Sequence, residues 1–252
     1  MSPNNPIEFR AIRCLRDNYA WLIHGNGETA LIDAPEAAPI LAALAENGWS
    51  LDHILLTHHH ADHIQAVPEL LKATKAKVIG ATADAHRLPP LDQMVAPGDR
   101  LTLCGTEIEV MDVSGHTMGH VAFHLPQAKL AFTGDSLMSL GCGRLFEGQP
   151  QDMWASLTRL MALPPETRIC SGHDYCAANG AFALTIDPEN PNLDQRLRET
   201  ANGTMPCSPA TLAVEMATNP FLRVAELRPL LGMAGAGDLE VFARLRAMKD
   251  DF

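Results

Sequence analysis

Apolar runs closed by turn residues fill the first two thirds of the chain. AWLIH (20–24) and TALIDA (29–34) flank Gly25-Asn26-Gly27, residue types that accept the positive φ of a tight turn, so a hairpin is predicted there. PEAAPILAALAENG (35–48) has helical spacing and a stop at Gly48. LDHILLT (51–57) is a strand-like run that ends where a group of histidines begins. KVIG, RLTLCG with TEIEVMDV, VAFHL with LAFTGD, and TRICSG read as further strands, with PQDMWASLTRLMALP (150–164) helical between them. After residue 174 the pattern changes, and helices are predicted over 175–185, 192–201, 209–218 and 238–248. Ser208-Pro209 and Asp238 read as helix starts. The glycine-rich GMAGAGD (232–238) follows no strand and reads as a connection between helices, not a phosphate loop. The pattern as a whole is an α/β domain over 1–174 followed by a helical domain over 175–252.

Composition narrows this little: 46% hydrophobic residues suit a packed globular core. Charge narrows it more. A net charge of −11 disfavours nucleic acid and anionic membrane as partners, leaving a small anion held by local cations. The N-terminal stretch carries arginines and no apolar run, and no apolar run nears the roughly 18 residues of a membrane span. The six cysteines (Cys14, Cys104, Cys142, Cys170, Cys176 and Cys207) form no CxxC pair, so reduced thiols in a cytoplasmic protein are expected.

The chemistry lies in THHHADH. His58, His60, Asp62 and His63 have the spacing H-x-H-x-D-H. Two residues apart on extended chain, His58 and His60 share a face, while Asp62 and His63 follow at a turn into a helix and can face a second point. Imidazole and carboxylate are ligands of catalytic zinc. His116, Asp135 and His173 each sit just past a predicted strand, in SGHT, TGD and SGHD. The seven side chains His58, His60, Asp62, His63, His116, Asp135 and His173 exceed the about four ligands of one zinc. They suit two ions if a carboxylate bridges, and Asp135 is the natural bridge because an imidazole nitrogen has no second lone pair to share. His59 alternates away from its neighbours, and His24, His53, His86 and His124 show no partner pattern. His120 is a candidate neighbour of the ligands, and Asp33 either orients a ligand imidazole or simply ends its strand.

THHHADH, SGHT, TGD and SGHD resemble the metallo-β-lactamase superfamily, whose fold is an αββα sandwich. RDNYAWLI, GDSLMSLGCGRLFEG, SGHDY, NPFLR and RAMKDDF narrow the resemblance to the glyoxalase II (hydroxyacylglutathione hydrolase) family, from about residue 9 to the last residue. That resemblance implies an αββα sandwich followed by a small all-helical domain. It assigns His58, His60, His116 and bridging Asp135 to one metal, and Asp62, His63, His173 and Asp135 to the other. It implies glutathione contacts from Arg144, Tyr175, Arg246 and Lys249. The sequence departs from the family pattern with Phe146 for a common Tyr, Asp174 for Glu, Cys176 for Thr and GDSLM for GDTLF, none of which removes a ligand.

The implied reaction is hydrolysis of S-D-lactoylglutathione to D-lactate and glutathione, within methylglyoxal detoxification. Metals lower the pKa of bound water to about 7, so a hydroxide held between two of them would attack the thioester, with Asp62 and Asp135 as catalytic carboxylates. No GxSxG is present and no serine or cysteine nucleophile is needed. Two zinc ions are expected, iron or manganese being alternatives, in a cytoplasmic monomer. The rival reading is a mononuclear iron persulfide dioxygenase acting on glutathione persulfide.

Overall fold

The computed structural model describes residues 7–252; the first six residues of the arginine-bearing N-terminal stretch lie outside the described residues. The chain divides into two compact units. The first runs to Asp112 and resumes over Gly119–Gly134, and the second comprises Val113–Met118 and Asp135–Phe252.

In the first unit one sheet has the order β1 (Glu8–Cys14), β2 (Asn18–Gly25), β3 (Glu28–Ile32), β4 (His53–Leu56), β5 (Lys77–Ala81) and β6 (Gln93–Val95). Its first two pairings are antiparallel and the rest parallel. The β2–β3 hairpin turns where predicted, on Asn26 (φ 52°) and Gly27 (φ 78°), with Gly25 opposite Glu28. Helix α1 (Ala37–Asn47) crosses from β3 to β4 and ends at Gly48, and α2 (Ala61–Ile64) and α3 (Val67–Ala73) follow β4. Register puts Leu22, Leu31, Ile54 and Val78 in one row across the sheet. That row buries against Ile40, Leu44, Val67 and Leu70 of the helices. Each such side chain contributes about 1.5–3 kcal/mol by leaving water. The alternate row, Trp21, Ile32, Leu55 and Ile79, lies on the other face, where Trp21 stands 6.1 Å from Phe132. Phe132 belongs to an antiparallel set in this unit: β7 (Arg100–Leu103), β8 (Thr106–Asp112), β9 (Val121–Leu125) and β10 (Leu130–Gly134).

The second unit holds two short strand pairs, β11 (Leu137–Met138) with β12 (Gly141–Cys142), and β13 (Arg168–Ser171) with β14 (Ala210–Thr211). Its helices are α4 (Pro150–Met161), α5 (Cys176–Ile186), α6 (Pro191–Ala201), α7 (Leu212–Thr218), α8 (Val224–Leu227) and α9 (Asp238–Asp250). Residues 232–237 connect α8 to α9, as the sequence indicated. The chain after residue 174 is helical apart from β14, which corrects the reading of a helix from Pro209. Ser208 does not cap a helix: its hydroxyl donates to Ile169 O at 3.3 Å and accepts from Ser171 N at 3.2 Å, tying the segment to β13 as a strand. Thr211 is the cap instead, its hydroxyl accepting from Val214 N. Phe221 anchors the interior of this unit, with Phe182 at 6.1 Å and Phe242 at 5.9 Å. The same unit holds a buried ion pair between Arg196 and Glu215.

Candidate metal centre

The first unit gathers four of the seven predicted ligands just past β4. His58 and His63 are fully buried, and the His58 ring lies 4.7 Å from that of His60 and 4.2 Å from that of His63. His60 caps α2, so Asp62 and His63 stand on its first turn, with Asp62 Oδ2 3.8 Å from His63 Nε2. The positions of the imidazoles are set through their Nδ1 atoms. His63 Nδ1 lies 2.8 Å from Asp33 Oδ2, and His58 Nδ1 lies 3.0 Å from Thr57 Oγ1. Asp33 also accepts from Thr57 N on Oδ1 and from Thr57 Oγ1 on Oδ2, each at 2.8 Å. Its backbone turns left-handed (φ 58°) just past β3 to reach them. Of the two readings open for Asp33, the structure therefore favours the one that orients an imidazole.

The second unit gathers the other three. Asp135 Oδ2 lies 3.5 Å from His116 Nε2 and 3.3 Å from His173 Nε2, all three residues being buried. Two ligand atoms about 2.0–2.1 Å from one tetrahedral ion stand roughly 3.3 Å apart, so these separations fit shared metal coordination. His116 Nδ1 donates to Arg144 O at 2.7 Å, again leaving Nε2 as the ligand atom. The GCGR loop can approach this closely only through Gly143. A Cβ there would lie 2.0 Å from Asp135 O and 2.9 Å from His116 Nδ1.

Neighbours missed by sequence reasoning now stand out. Asn18 Nδ2 donates to both Asp62 O and Asp62 Oδ2 at 3.0 Å, and Thr57 links Asp33 to His58. Both lie inside quoted motifs, RDNY and THHH, whose polar residues are the signal that could have found them. His59 turns to Asp84 Oδ2 at 3.1 Å, and the His120 ring stacks on His58 at 4.5 Å.

Comparison with known proteins places this geometry in a family. The metallo-beta-lactamase superfamily model matches residues 15–173, and the model for the hydroxyacylglutathione hydrolase C-terminus matches residues 174–252. A hydroxyacylglutathione hydrolase of Ruegeria pomeroyi is 56% identical over 98% of this chain and 100% of its own length. Another, of Fuscovulum blasticum, is 58% identical over 98% of this chain and 99% of its own. The chain belongs to the hydroxyacylglutathione hydrolase family. Among solved structures, ETHE1 from Myxococcus xanthus is similar at 26% identity and a TM-score of 0.69, covering 95% of this chain and 90% of that one. The fold is the metallo-β-lactamase fold, and its His and Asp clusters are suited to binding two metals.

The part matched to the hydroxyacylglutathione hydrolase C-terminus brings cations together. Arg246 Nη2 and Arg144 Nε donate to the same Asp250 Oδ1, at 2.9 and 3.1 Å. Arg246 is buried, with Nη1 on Cys142 O at 2.9 Å and its guanidinium 5.1 Å from the Phe221 ring centre. Lys249 Nζ stands 5.5 Å from the Phe182 ring and 5.2 Å from that of Phe252. Partial burial, then Arg246 and Arg144, hold its pKa below the usual lysine value against the opposing pull of Asp250. Tyr175 stacks on His173 at 4.7 Å, and exposed Phe146 stands edge-on to His116 at 5.2 Å. Among the described residues no helix is long and apolar enough to cross a membrane.

Proposed function

We propose that the two ligand sets form one dinuclear centre, and that this centre hydrolyses S-D-lactoylglutathione to D-lactate and glutathione. His58, His60, His116 and Asp135 would hold one ion, and Asp62, His63, His173 and Asp135 the other. Bound there, two divalent cations would supply Lewis acidity and a nucleophilic water at neutral pH. The chain's own residues do the rest. Asp33 keeps the Nδ1 proton of His63, as Arg144 O does for His116, which strengthens each Nε2 as a donor. Asn18 fixes the Asp62 carboxylate, which orients the attacking water. Arg144, Arg246, Lys249 and Tyr175 hold the glutathione part, the cations answering its carboxylates on a chain that is anionic overall. The departing thiolate, with an ordinary thiol pKa near about 8.5, needs little protonation to leave.

The observation that carries this reading is the C-terminal match over 174–252, whose last helix presents Arg246 and Lys249. We further propose zinc as the metal, since the set is nitrogen and oxygen only, a catalytic domain over 1–174 with a substrate domain over 175–252, and a cytoplasmic monomer acting in methylglyoxal removal. The test is loss of thioester absorbance from S-D-lactoylglutathione with the purified protein, run beside metal analysis. At least about two metals per chain with turnover is the expected result. Oxygen uptake with glutathione persulfide and no thioester cleavage would overturn it.

A further inference from the structure

Three donors in the second unit lie together outside the ligand sets above. Asp174, Cys176 and Cys207 offer a carboxylate oxygen and two thiol sulfurs, all within 4.8 Å of one another. We propose that these three residues form a separate binding site for one thiophilic divalent cation. This goes beyond the proposed hydrolase activity and does not depend on it.

The trio joins two segments far apart in the sequence, 174–176 and the one that carries Cys207. Cys176 is the first residue of α5 and is 5% exposed. Cys207 is 6% exposed, its carbonyl accepts from Ser139 Oγ at 2.6 Å, and the next residue is the Ser208 that binds β13. Leu140, Ala183, Leu193 and Leu197 pack in the same apolar cluster as the two cysteines. Two of the three residues, Asp174 and Cys176, are the positions noted as departures from the family pattern, and the fold sets both against Cys207.

Two buried core cysteines would also pack well here, since a thiol behaves as a small hydrophobe. A carboxylate does not share that explanation. The Cys207 thiol is engaged by Cys176 and Asp174, and the Cys176 contact, burial and the Asp174 charge hold its proton on strongly. A soft cation binds by displacing the two thiol protons to solvent against that hold, M²⁺ + 2 RSH giving M(SR)₂ + 2 H⁺, with the carboxylate joining as it stands. Two thiolates and a carboxylate around a dication leave one negative charge. Sulfur donors select zinc-like ions over magnesium or calcium, and three protein ligands leave a fourth position for water.

The sulfur donors make the site separable from the dinuclear centre, which has none. Full-length protein loaded with Co²⁺ under reducing conditions should bind about three equivalents and show a thiolate-to-cobalt charge-transfer band. Cys176→Ser and Cys207→Ser should each lose that band and fall to about two equivalents, with unchanged circular dichroism. Absence of the band from the wild-type protein at saturating Co²⁺, or its survival in both variants, would overturn the proposal. A failure of the dinuclear reading looks different: the band persists in the wild-type protein while the serine variants bind fewer than about two equivalents. Should either variant fail to fold, zinc-edge X-ray absorption of the wild-type protein decides. Sulfur in the metal shell supports the site, and a shell of nitrogen and oxygen alone sinks it.

Discussion

Asp33 accepts three hydrogen bonds with one carboxylate, and its place in the sequence, at the end of an apolar strand, does not announce this. Asp33→Asn keeps the shape but presents an N–H₂ to a donor, so the His63 proton loses its acceptor. Metal affinity should fall about 10–100-fold, measured by competition with a chelator, and excess metal should restore activity. Unchanged affinity would remove Asp33 from the centre. Lys249 carries a second prediction. Its pKa is held below the ordinary lysine value, and the cation exists only below that pKa. KM for the thioester should therefore rise with pH sooner than an ordinary lysine would cause, once spontaneous hydrolysis is subtracted. Lys249→Arg should flatten that rise, because guanidinium keeps its proton. The grouping of His58, His60, Asp62 and His63 was legible because their spacing is local. Asn18 and Asp250 were not, because each gains its meaning from partners 44 residues away (Asp62) and 106 residues away (Arg144).

Loops and helices in this protein work as clamps. Gly143 lets the loop between β12 and α4 pass beneath His116 and Asp135, so Gly143→Ala must push that loop away. The expected cost is about 1–3 kcal/mol of stability, with a loss of bound metal and activity out of proportion to it. Metal analysis beside a denaturation curve would show whether the two part company. A second clamp is the buried network around Glu215. Its carboxylate pairs with Arg196 and accepts from Leu140 N at 3.0 Å and from Asn219 Nδ2 at 3.2 Å. Asn219 in turn donates to Met138 O and Gly141 O, so α7 grips the β11–β12 turn. Removing one partner strands the other charge, and Glu215→Ala should cost about 3–5 kcal/mol in chemical denaturation. A cost under about 1 kcal/mol would mean the network is replaceable. Elements with self-contained signals were legible, as the Asn26-Gly27 hairpin and the close of α1 at Gly48 show. Strand β1 was missed because Glu8, Arg10 and Arg13 give it the look of a loop, which an edge strand with solvent on one side tolerates. The start of α7 was misplaced because Ser208 found a partner on β13 in place of a helix amide.

At the scale of the molecule, the seven candidate donors fall in both compact units, His58, His60, Asp62 and His63 in the first and His116, Asp135 and His173 in the second. The sequence carried the family through motifs spread from residue 9 to the end, yet the units it folds into interleave at Val113–Met118 and Gly119–Gly134. No periodicity in a sequence reports such an exchange. The triple grip of Asp33 carries one further consequence, in the kinetics of opening. Its carboxylate holds the Thr57 amide at the end of β4 while it holds the His63 imidazole. Metal occupancy and fraying of that strand end then become one equilibrium. Loading the protein with metal at 100 times its dissociation constant favours the closed form by about 2.7 kcal/mol. Hydrogen exchange at the Thr57 amide should slow by about 100-fold between chelated and loaded protein, while the amides of α6 keep their rates.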